Sequence, residues 1–320
     1  MSASNGSTEH VPVLDFGIYN EADGQVKLGE QIAHVLKTSG FMYVKNHGIP
    51  QETIDKVFNS SKKVFSLPPD IKAKKPRSSK FEPSCGYVAM GSEKLDEARR
   101  DEIREAYNYI PYNDERLPEE VPEFGPACKS LFWESWNFSK KLLECLAQGL
   151  HQPRKTIFAD DSHQYIGRPG NFTTLRIHNY PARDMSKAEA DHLTRCGAHT
   201  DYGTLTVLFQ DDVGGLEVET TQGAFIPAPP IPGTLVINIG DIMQRWTCDK
   251  LRSTVHAVTF SEQNRHRDRQ SIAFFLHPDD AYMVECLDGS TKYPPISGKN
   301  YLQERMFASF TNYFGQGQNA

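Results

Sequence analysis

Two histidines and an aspartate have the spacing expected of metal ligands. His199 and Asp201 are separated by one residue in GAHTDYG, and His256 comes later in the chain. Side chains at positions i and i+2 of a strand point to the same face, so one strand can aim an imidazole and a carboxylate at one point. A second imidazole would complete a triad that holds Fe(II) on one side and leaves the other open. The competing interpretation is a chance motif, with each histidine an ordinary core or surface residue.

An arginine and a serine follow the second histidine on a predicted strand. The β-branched and aromatic residues of RQSIAFF are typical of a buried strand. Alternation along it predicts one shared face for Arg269, Ser271, Ala273, Phe275 and His277. A guanidinium beside a hydroxyl can bind a carboxylate through charge-assisted hydrogen bonds, which indicates a dicarboxylate co-substrate held at its far end. The alternative is a structural ion pair at the surface.

These motifs resemble those of the 2-oxoglutarate- and Fe(II)-dependent dioxygenases of the isopenicillin N synthase-like group. The resemblance covers roughly residues 11 to 310, and it also includes VPVLDF, GFMYVKNHGIP and LRIHNYP. Within the group, HTDYGTLTVLFQDDVGGLEV and CDKLRSTVHAV are most similar to the thymine hydroxylase-like branch.

The resemblance implies oxidation of a C–H bond in a small organic molecule, by hydroxylation or a related reaction, with release of succinate and CO2. It implies O2 as a co-substrate and ascorbate as a candidate reductant. It also implies two sets of ligands: His199, Asp201 and His256 for Fe(II), and Arg269, Ser271 and Tyr180 for 2-oxoglutarate.

Strand alternation nominates further residues for the substrate pocket. In LRIHNYP, Arg176 and His178 share a face with Tyr180. Many relatives have Asn where this chain has His178, which leaves the role of that residue open. Arg176 could instead form an ion pair at the barrel mouth, and a structural hydrogen bond to backbone is expected for Asn238. The substrate candidates are Arg176, His178, Tyr202, Phe275 and His277. Of these, Arg176, Phe275 and His277 indicate a small, planar, hydrogen-bonding substrate such as a nucleobase or other heteroaromatic compound.

The pattern of elements predicts a mainly β fold with some α structure, a double-stranded β-helix (jelly roll). We expect a helical N-terminal cap over 1–165, a catalytic core over 166–280 and a C-terminal helical tail over 281–320, forming one structural unit. Helices are predicted over 27–38, 52–67 and 126–150, with a further helix in GKNYLQERMFASFTNYF lying over the barrel. Segment 69–92, with its basic run DIKAKKPRSSK, is expected to be a solvated loop. Loops 75–95 and 155–172 are expected to cover the pocket mouth, and EKLDEARRDEIRE to be a solvated helix or loop face with a possible role as a lid.

Composition argues against several other classes of protein. The chain has 320 residues, a net charge of −6 and a pI near 6.0, so it has no electrostatic footprint for nucleic acid. Six scattered cysteines without a C-x-x-C favour reduced thiols over a disulfide framework or a zinc site. With no apolar leader and no long apolar segment, we expect a cytoplasmic protein that does not contact the membrane. The oligomeric state is not readable from these features.

Two alternative functions are retained. One is an oxidase of isopenicillin N synthase type, in which the Arg269 and Ser271 pair would bind the substrate's own carboxylate, or an ethylene-forming enzyme with the same triad. The other is a non-enzymatic jelly-roll protein that binds a small ligand, although such a protein would not need an open-faced metal site.

Overall fold

The computed structural model describes residues 10–77, 85–93, 101–184 and 192–314, with the side chains of 114 and 308–314 not described. Short 3₁₀ helices occur at Phe16–Asn20 and Asp114–Arg116. The α-helices are α1 (Gly24–Thr38), α2 (Gln51–Phe65), α3 (Pro69–Lys72), α4 (Phe124–Gly149), α5 (Asp241–Trp246) and α6 (Gly298–Phe314).

Among the described residues, all of the strands are short and most of them lie in the second half of the chain. They are β1 (Val13–Asp15), β2 (Phe41–Lys45), β3 (Gly86–Val88), β4 (Asp101–Glu102), β5 (Glu105–Tyr109), β6 (Thr174–Tyr180), β7 (Leu193–Thr194), β8 (Cys196–His199), β9 (Leu205–Gln210), β10 (Leu216–Glu219), β11 (Phe225–Pro227), β12 (Thr234–Ile239), β13 (His256–Val258), β14 (Arg269–Leu276), β15 (Met283–Val284) and β16 (Ile296–Ser297).

Two sheets form the centre of the fold. The major sheet has the order β1-β2-β12-β9-β14-β6-β5-β3, and the minor sheet has the order β11-β10-β13-β8. Side chains of both sheets line one cavity between them. This mixed, sheet-rich architecture confirms the predicted jelly roll with added helices. Because β1, β2, β3 and β5 extend the core sheet, the predicted cap is continuous with the barrel, and the divisions at 165 and 281 stay predictions.

Because side chains alternate along β14, one face of the major sheet packs against the helices and the other face lines the cavity. Ile272, Phe274 and Leu276 are fully buried on the face that packs against the helices. The ring of Phe274 meets that of Phe132 on α4 edge to face, with centroids 5.1 Å apart. Burying these apolar side chains stabilises the sheet and fixes its register, since a slip of one residue would exchange the two faces. The other face of β14 is thereby directed into the cavity.

The helices begin and end close to the predicted positions, within the uncertainty usual for helix ends. α1 begins at Gly24 rather than 27, α2 ends at Phe65 before Pro68 and Pro69, and α4 starts at Phe124. The predicted C-terminal helix is α6, and its Leu302 and Met306 side chains line the cavity. None of the helices in the described segments is long and apolar enough to cross a bilayer.

The interpretation of two charged runs as solvated segments is wrong for residues 102–105 of the acidic-basic run, and it holds only in part for the basic run. Residues 101–102 form β4 and 105–109 form β5, and Glu102, Arg104 and Glu105 are buried. In the basic run, Lys72 lies on α3 and its side chain, only 10% exposed, forms a 2.7 Å ion pair with Glu105. The charge of these residues did not indicate exposure to solvent, because Glu102 pairs with Arg104 and Glu105 pairs with Lys72. Residues 78–84 and 94–100 of the two runs lie outside the described part of the chain.

Candidate metal centre and active site

The minor sheet brings the three predicted metal ligands together. His199 ends β8 and His256 begins β13, and the two residues are direct partners in the antiparallel pairing of these strands. Their imidazole centroids lie 4.3 Å apart. Oδ1 of Asp201 is 3.7 Å from Nε2 of His199 and 3.7 Å from Nε2 of His256. One carboxylate oxygen and two ring nitrogens therefore converge on one point.

Backbone carbonyls orient both imidazoles. Nδ1 of His199 lies 2.8 Å from the carbonyl oxygen of Gly197, and Nδ1 of His256 lies 3.1 Å from that of Thr254. Each Nδ1 must be the protonated nitrogen in order to donate, which leaves Nε2 with its lone pair directed at Asp201. Burial, reinforced by His199, lowers the pKa of His256 to about 4, so this ring is neutral at neutral pH. An imidazole oriented by such a hydrogen bond is a typical metal ligand.

The second oxygen of Asp201 is bound by the major sheet. Oδ2 accepts hydrogen bonds from Oγ1 of Thr206 at 2.6 Å and from Nδ2 of Asn238 at 2.7 Å. The expectation that Asn238 bonds to backbone is therefore wrong, since it donates to this carboxylate. Burial alone would raise the pKa of Asp201, but His256, His199 and the two donors outweigh it and lower the pKa. The carboxylate is thus ionised and oriented at neutral pH.

The ligand atoms of His199, Asp201 and His256 fit a divalent iron ion. Two imidazoles and one carboxylate are the ligand set of a facial triad, and their ligand atoms lie within 4.8 Å of one another. Both histidines already donate through Nδ1, and Asp201 is fixed through Oδ2. The three remaining ligand atoms face one another without an intervening proton donor, an arrangement that a cation would stabilise.

Arg269 and Ser271 lie on the cavity face of β14, as alternation predicts. Nη1 of Arg269 donates to Oγ of Ser271 at 3.2 Å, and Nη2 donates to Oε1 of Gln210 at 3.1 Å. The guanidinium stacks over the ring of Tyr180, its partner in the register of β6 and β14, with 5.0 Å between Cζ and the ring centroid. Arg269 is 1% exposed and its Nε has no hydrogen-bond partner. Among the described residues, no carboxylate lies within 4.0 Å of it.

The other predicted pocket residues also lie on the wall of this cavity of about 210 Å³: Arg176, His178, Tyr202, Phe275 and His277. Burial, and secondly the positive charge of Arg176, lowers the pKa of His178 well below its usual value. Nδ1 of this ring has no hydrogen-bond partner among the described residues. Burial lowers the pKa of His277 to about 4. Both rings are neutral at neutral pH, and each can offer one donor and one acceptor.

Several lining residues were not found by sequence reasoning. Arg77, Glu93 and Arg104 reach the cavity from segments outside the core strands, and Leu302 and Met306 reach it from α6. Local alternation could have suggested Arg104, which lies one residue before β5. Arg77 and Glu93 belong to the segment 75–95 that was expected to cover the pocket mouth, but no local pattern in the sequence singled out these two residues.

Comparison with known proteins agrees with this geometry. Residues 172–278 match the family described as the 2OG-Fe(II) oxygenase superfamily, and residues 11–128 match the family described as non-haem dioxygenase in morphine synthesis N-terminal. The 2-oxoglutarate-dependent dioxygenase frbA of Dothideomycetidae sp. (strain 11243) is 32% identical, over 87% of this chain and 88% of its own. The proline hydroxylase buaE of Petromyces alliaceus is 32% identical, over 94% and 99%.

A solved structure is similar along nearly the whole chain. The full-length thymine hydroxylase of Neurospora crassa, in complex with alpha-KG and thymine, shares 30% identity, with a TM-score of 0.83 over 96% of this chain and 100% of its own. Fold and site together define a non-haem iron oxygenase. The chain belongs to the 2OG-Fe(II) oxygenase superfamily. It is a 2-oxoglutarate-dependent dioxygenase that uses Fe(II) and acts on a small organic molecule.

Proposed function

We propose specific roles for the residues of the cavity in this dioxygenase reaction. His199, Asp201 and His256 hold the ferrous ion through Nε2, Oδ1 and Nε2. When bound, the iron supplies the redox chemistry by which O2 oxidises 2-oxoglutarate to succinate and CO2 and oxidises a C–H bond of the substrate. The protein contributes orientation, because the hydrogen bonds to Gly197, Thr254, Thr206 and Asn238 fix all three ligands before the iron arrives.

We assign the distal carboxylate of 2-oxoglutarate to Arg269, with Ser271 and Tyr180 beside it. The observation that carries this assignment is a fully buried guanidinium, without a carboxylate partner among the described residues, in the same cavity as the metal triad. A buried cation of this kind is costly unless it is paired. A carboxylate entering the cavity would supply the missing charge, and the planar guanidinium would orient it.

The prime substrate in this proposal is a small, planar compound with hydrogen-bonding groups. The half-buried ring of Phe275 offers a flat apolar surface, and the neighbouring cavity wall carries Arg176 and the neutral His277. The thymine bound to the Neurospora protein, a similar structure, supports a substrate of this kind. Apolar side chains at Leu208, Leu302 and Met306 help to exclude water from the site.

The subcellular location is a further part of the proposal. The cysteines are free thiols in the structure, which supports a reducing compartment and hence the cytoplasm. The net charge of −6 supports a small-molecule substrate rather than a nucleic acid.

The experiment that tests the proposed function measures O2 consumption and succinate release by the Fe(II)-loaded protein. Both should require 2-oxoglutarate, and both should increase when a compound from a panel of free bases, nucleosides and aromatic acids is a substrate. Asp201→Ala should abolish both signals, whereas Asp212→Ala, at an exposed position, should retain them. O2 consumption without 2-oxoglutarate, or full activity of Asp201→Ala, would contradict the proposal.

A further inference from the structure

Three arginines and two glutamates form a charged group at one end of the cavity, here called the arginine cluster: Arg77, Glu93, Glu102, Arg104 and Arg176. Nη2 of Arg77 lies 2.6 Å from Oε1 of Glu93, and Nη2 of Arg176 bonds to Oε2 of the same carboxylate. Nε of Arg104 lies 2.7 Å from Oε2 of Glu102. The arginine cluster is thus a connected network between the loops that precede β5 and the cavity face of β6.

The arginine cluster has more positive than negative groups, and not all of its donors are used. In the described part of the chain, three guanidinium groups face two carboxylates here, and no side chain in the cluster is more than 12% exposed. Nη2 of Arg104 is buried without a hydrogen-bond partner, since Oε2 of Glu93 is 4.0 Å away. Nε of Arg176 is also buried without one. Buried donors are normally paired, and the described residues offer these two atoms no acceptor, so they point to a bound ligand.

A short chain of hydrogen bonds connects the arginine cluster to the metal centre. Glu102 accepts from Arg104 through Oε2 and from the backbone N–H of Gly197 through Oε1, at 3.0 Å. The carbonyl of Gly197 in turn accepts from Nδ1 of His199. Arg104 and Arg176 line the same cavity as the triad. A group bound by these arginines would therefore hold the rest of a small molecule beside the iron.

We propose that the prime substrate is a small aromatic or heteroaromatic carboxylic acid, whose carboxylate is bound by Arg104 and Arg176. This inference rests on the proposed function and names the substrate class for that site. A carboxylate matches the planar guanidinium fork, and its single charge balances the single excess positive charge counted over the five described residues of the cluster. A phosphate group carries close to two negative charges, which is more than this excess positive charge.

The carboxylate site proposed here is separate from the one assigned to 2-oxoglutarate. Arg269 contacts Ser271, Gln210 and the ring of Tyr180, and among the described residues it shares no hydrogen bond with the arginine cluster. Arg176 is paired in register with Ala273, whereas Tyr180 is paired with Arg269. Arg176 therefore lies four residues from Tyr180 along β6, so a carboxylate at Arg176 and one at Arg269 would occupy different parts of the cavity wall.

The inference can be tested by calorimetry on the protein loaded with Mn²⁺, which replaces iron without supporting turnover, and saturated with 2-oxoglutarate. Saturation occupies the Arg269 site, so a second acid must bind elsewhere. The probes are benzoate against benzamide and nicotinate against nicotinamide, with thymine as a neutral planar compound. At least one acid should bind roughly 10- to 100-fold more tightly than its amide, the size of a charge-assisted hydrogen bond. Equal binding of acids and amides, or no binding of either acid, would overturn the inference.

Variants locate the bound acid. Arg104→Gln and Arg176→Gln should each weaken binding of the acid roughly tenfold or more and leave binding of 2-oxoglutarate unchanged. Arg267→Gln, at a half-exposed arginine paired with Asp212, is the matched control and should bind the acid as wild type does. Wild-type affinity in both cluster variants would overturn the inference. A failure of the wild-type protein to bind 2-oxoglutarate would instead contradict the proposed function, so the two failures are distinguishable.

Discussion

Thr206 donates a 2.6 Å hydrogen bond to Oδ2 of Asp201, and so connects the two sheets at the metal centre. Thr206 lies on β9 of the major sheet, whereas Asp201 follows β8 of the minor sheet. Asn238 on β12 donates to the same oxygen. The major sheet therefore determines which carboxylate oxygen faces the histidines, and residues that do not bind metal contribute to metal affinity.

Thr206→Val should lower the affinity for the metal without altering the cavity shape. Valine keeps the size of threonine but lacks the donor, so one of the two bonds to Oδ2 is lost. We expect metal affinity to fall roughly 10- to 100-fold, measured by anaerobic titration with Fe(II) or by calorimetry with Mn²⁺. Thr234→Val is the control, because its hydroxyl bonds to the backbone oxygen of Ile231. Equal affinity in wild type and Thr206→Val would show that Thr206 does not orient the ligand.

Arg269→Lys should weaken binding of 2-oxoglutarate although the positive charge is retained. A lysine cannot reproduce the planar contacts with Ser271, Gln210 and the ring of Tyr180. The KM for 2-oxoglutarate should rise roughly 10- to 100-fold, the size expected for losing charge-assisted hydrogen bonds, and Ser271→Ala should cause a smaller rise. Steady-state succinate release measures both. An unchanged KM in Arg269→Lys would place the co-substrate carboxylate elsewhere.

Strand periodicity accounts for how much of this site was predictable from the sequence. Alternation along two strands was enough to place Arg176, His178 and Tyr180 on one wall and Arg269 with Ser271 beside them, as the structure shows. Side chains alternate regularly along these strands because the other face of the major sheet is buried against the helices, which fixes the register. The pairing of His199 with His256 required the resemblance to a family, since no local pattern relates distant strands.

The remaining residues could not be predicted because their environment is created by tertiary packing. Glu93 and Arg104 belong to a run that resembles a solvated surface, yet Arg104 is buried and Glu93 forms ion pairs with Arg77 and Arg176 from outside the run. Asn238 gave no sign of its bond to Asp201, because its partner lies on another sheet. Charged residues are usually exposed, and those that are buried are normally paired with an oppositely charged side chain.

Arg305→Ala should loosen α6 where it closes the cavity. Nη2 of Arg305 lies 2.9 Å from Oδ2 of Asp241, and its guanidinium stacks on the ring of Tyr202 with 5.1 Å to the centroid. Because Arg305 is 41% exposed, the ion pair is worth at most about 1 kcal/mol. Amide hydrogen exchange in α6 should therefore become up to about fivefold faster while β14 stays unchanged. Equal exchange in α6 of both proteins would show that this pair does not hold the helix.

Glu93→Gln should change the acid stability of the protein in a defined direction. Burial alone would raise the pKa of Glu93, but Arg176, Arg77 and Arg104 outweigh it and hold the pKa below the usual value of 4.5. A lowered folded-state pKa gives stability that is present above pH 4.5 and is lost as the pH falls further. Removing the carboxylate leaves buried arginines without this partner, so the variant should be about 3–5 kcal/mol less stable at pH 7.

Glu93→Gln should not show the loss of folding stability at acid pH that the Glu93 carboxylate causes in the wild-type protein. The difference between the free energies of unfolding of the two proteins should therefore narrow as the pH falls from about 4.5 to about 3, measured by urea denaturation at each pH. Glu52→Gln is the control, because Glu52 is exposed and pairs with Lys56 within α2. A difference between wild type and Glu93→Gln that stays constant from about pH 7 to about pH 3 would mean that Glu93 is not ionised within the arginine cluster.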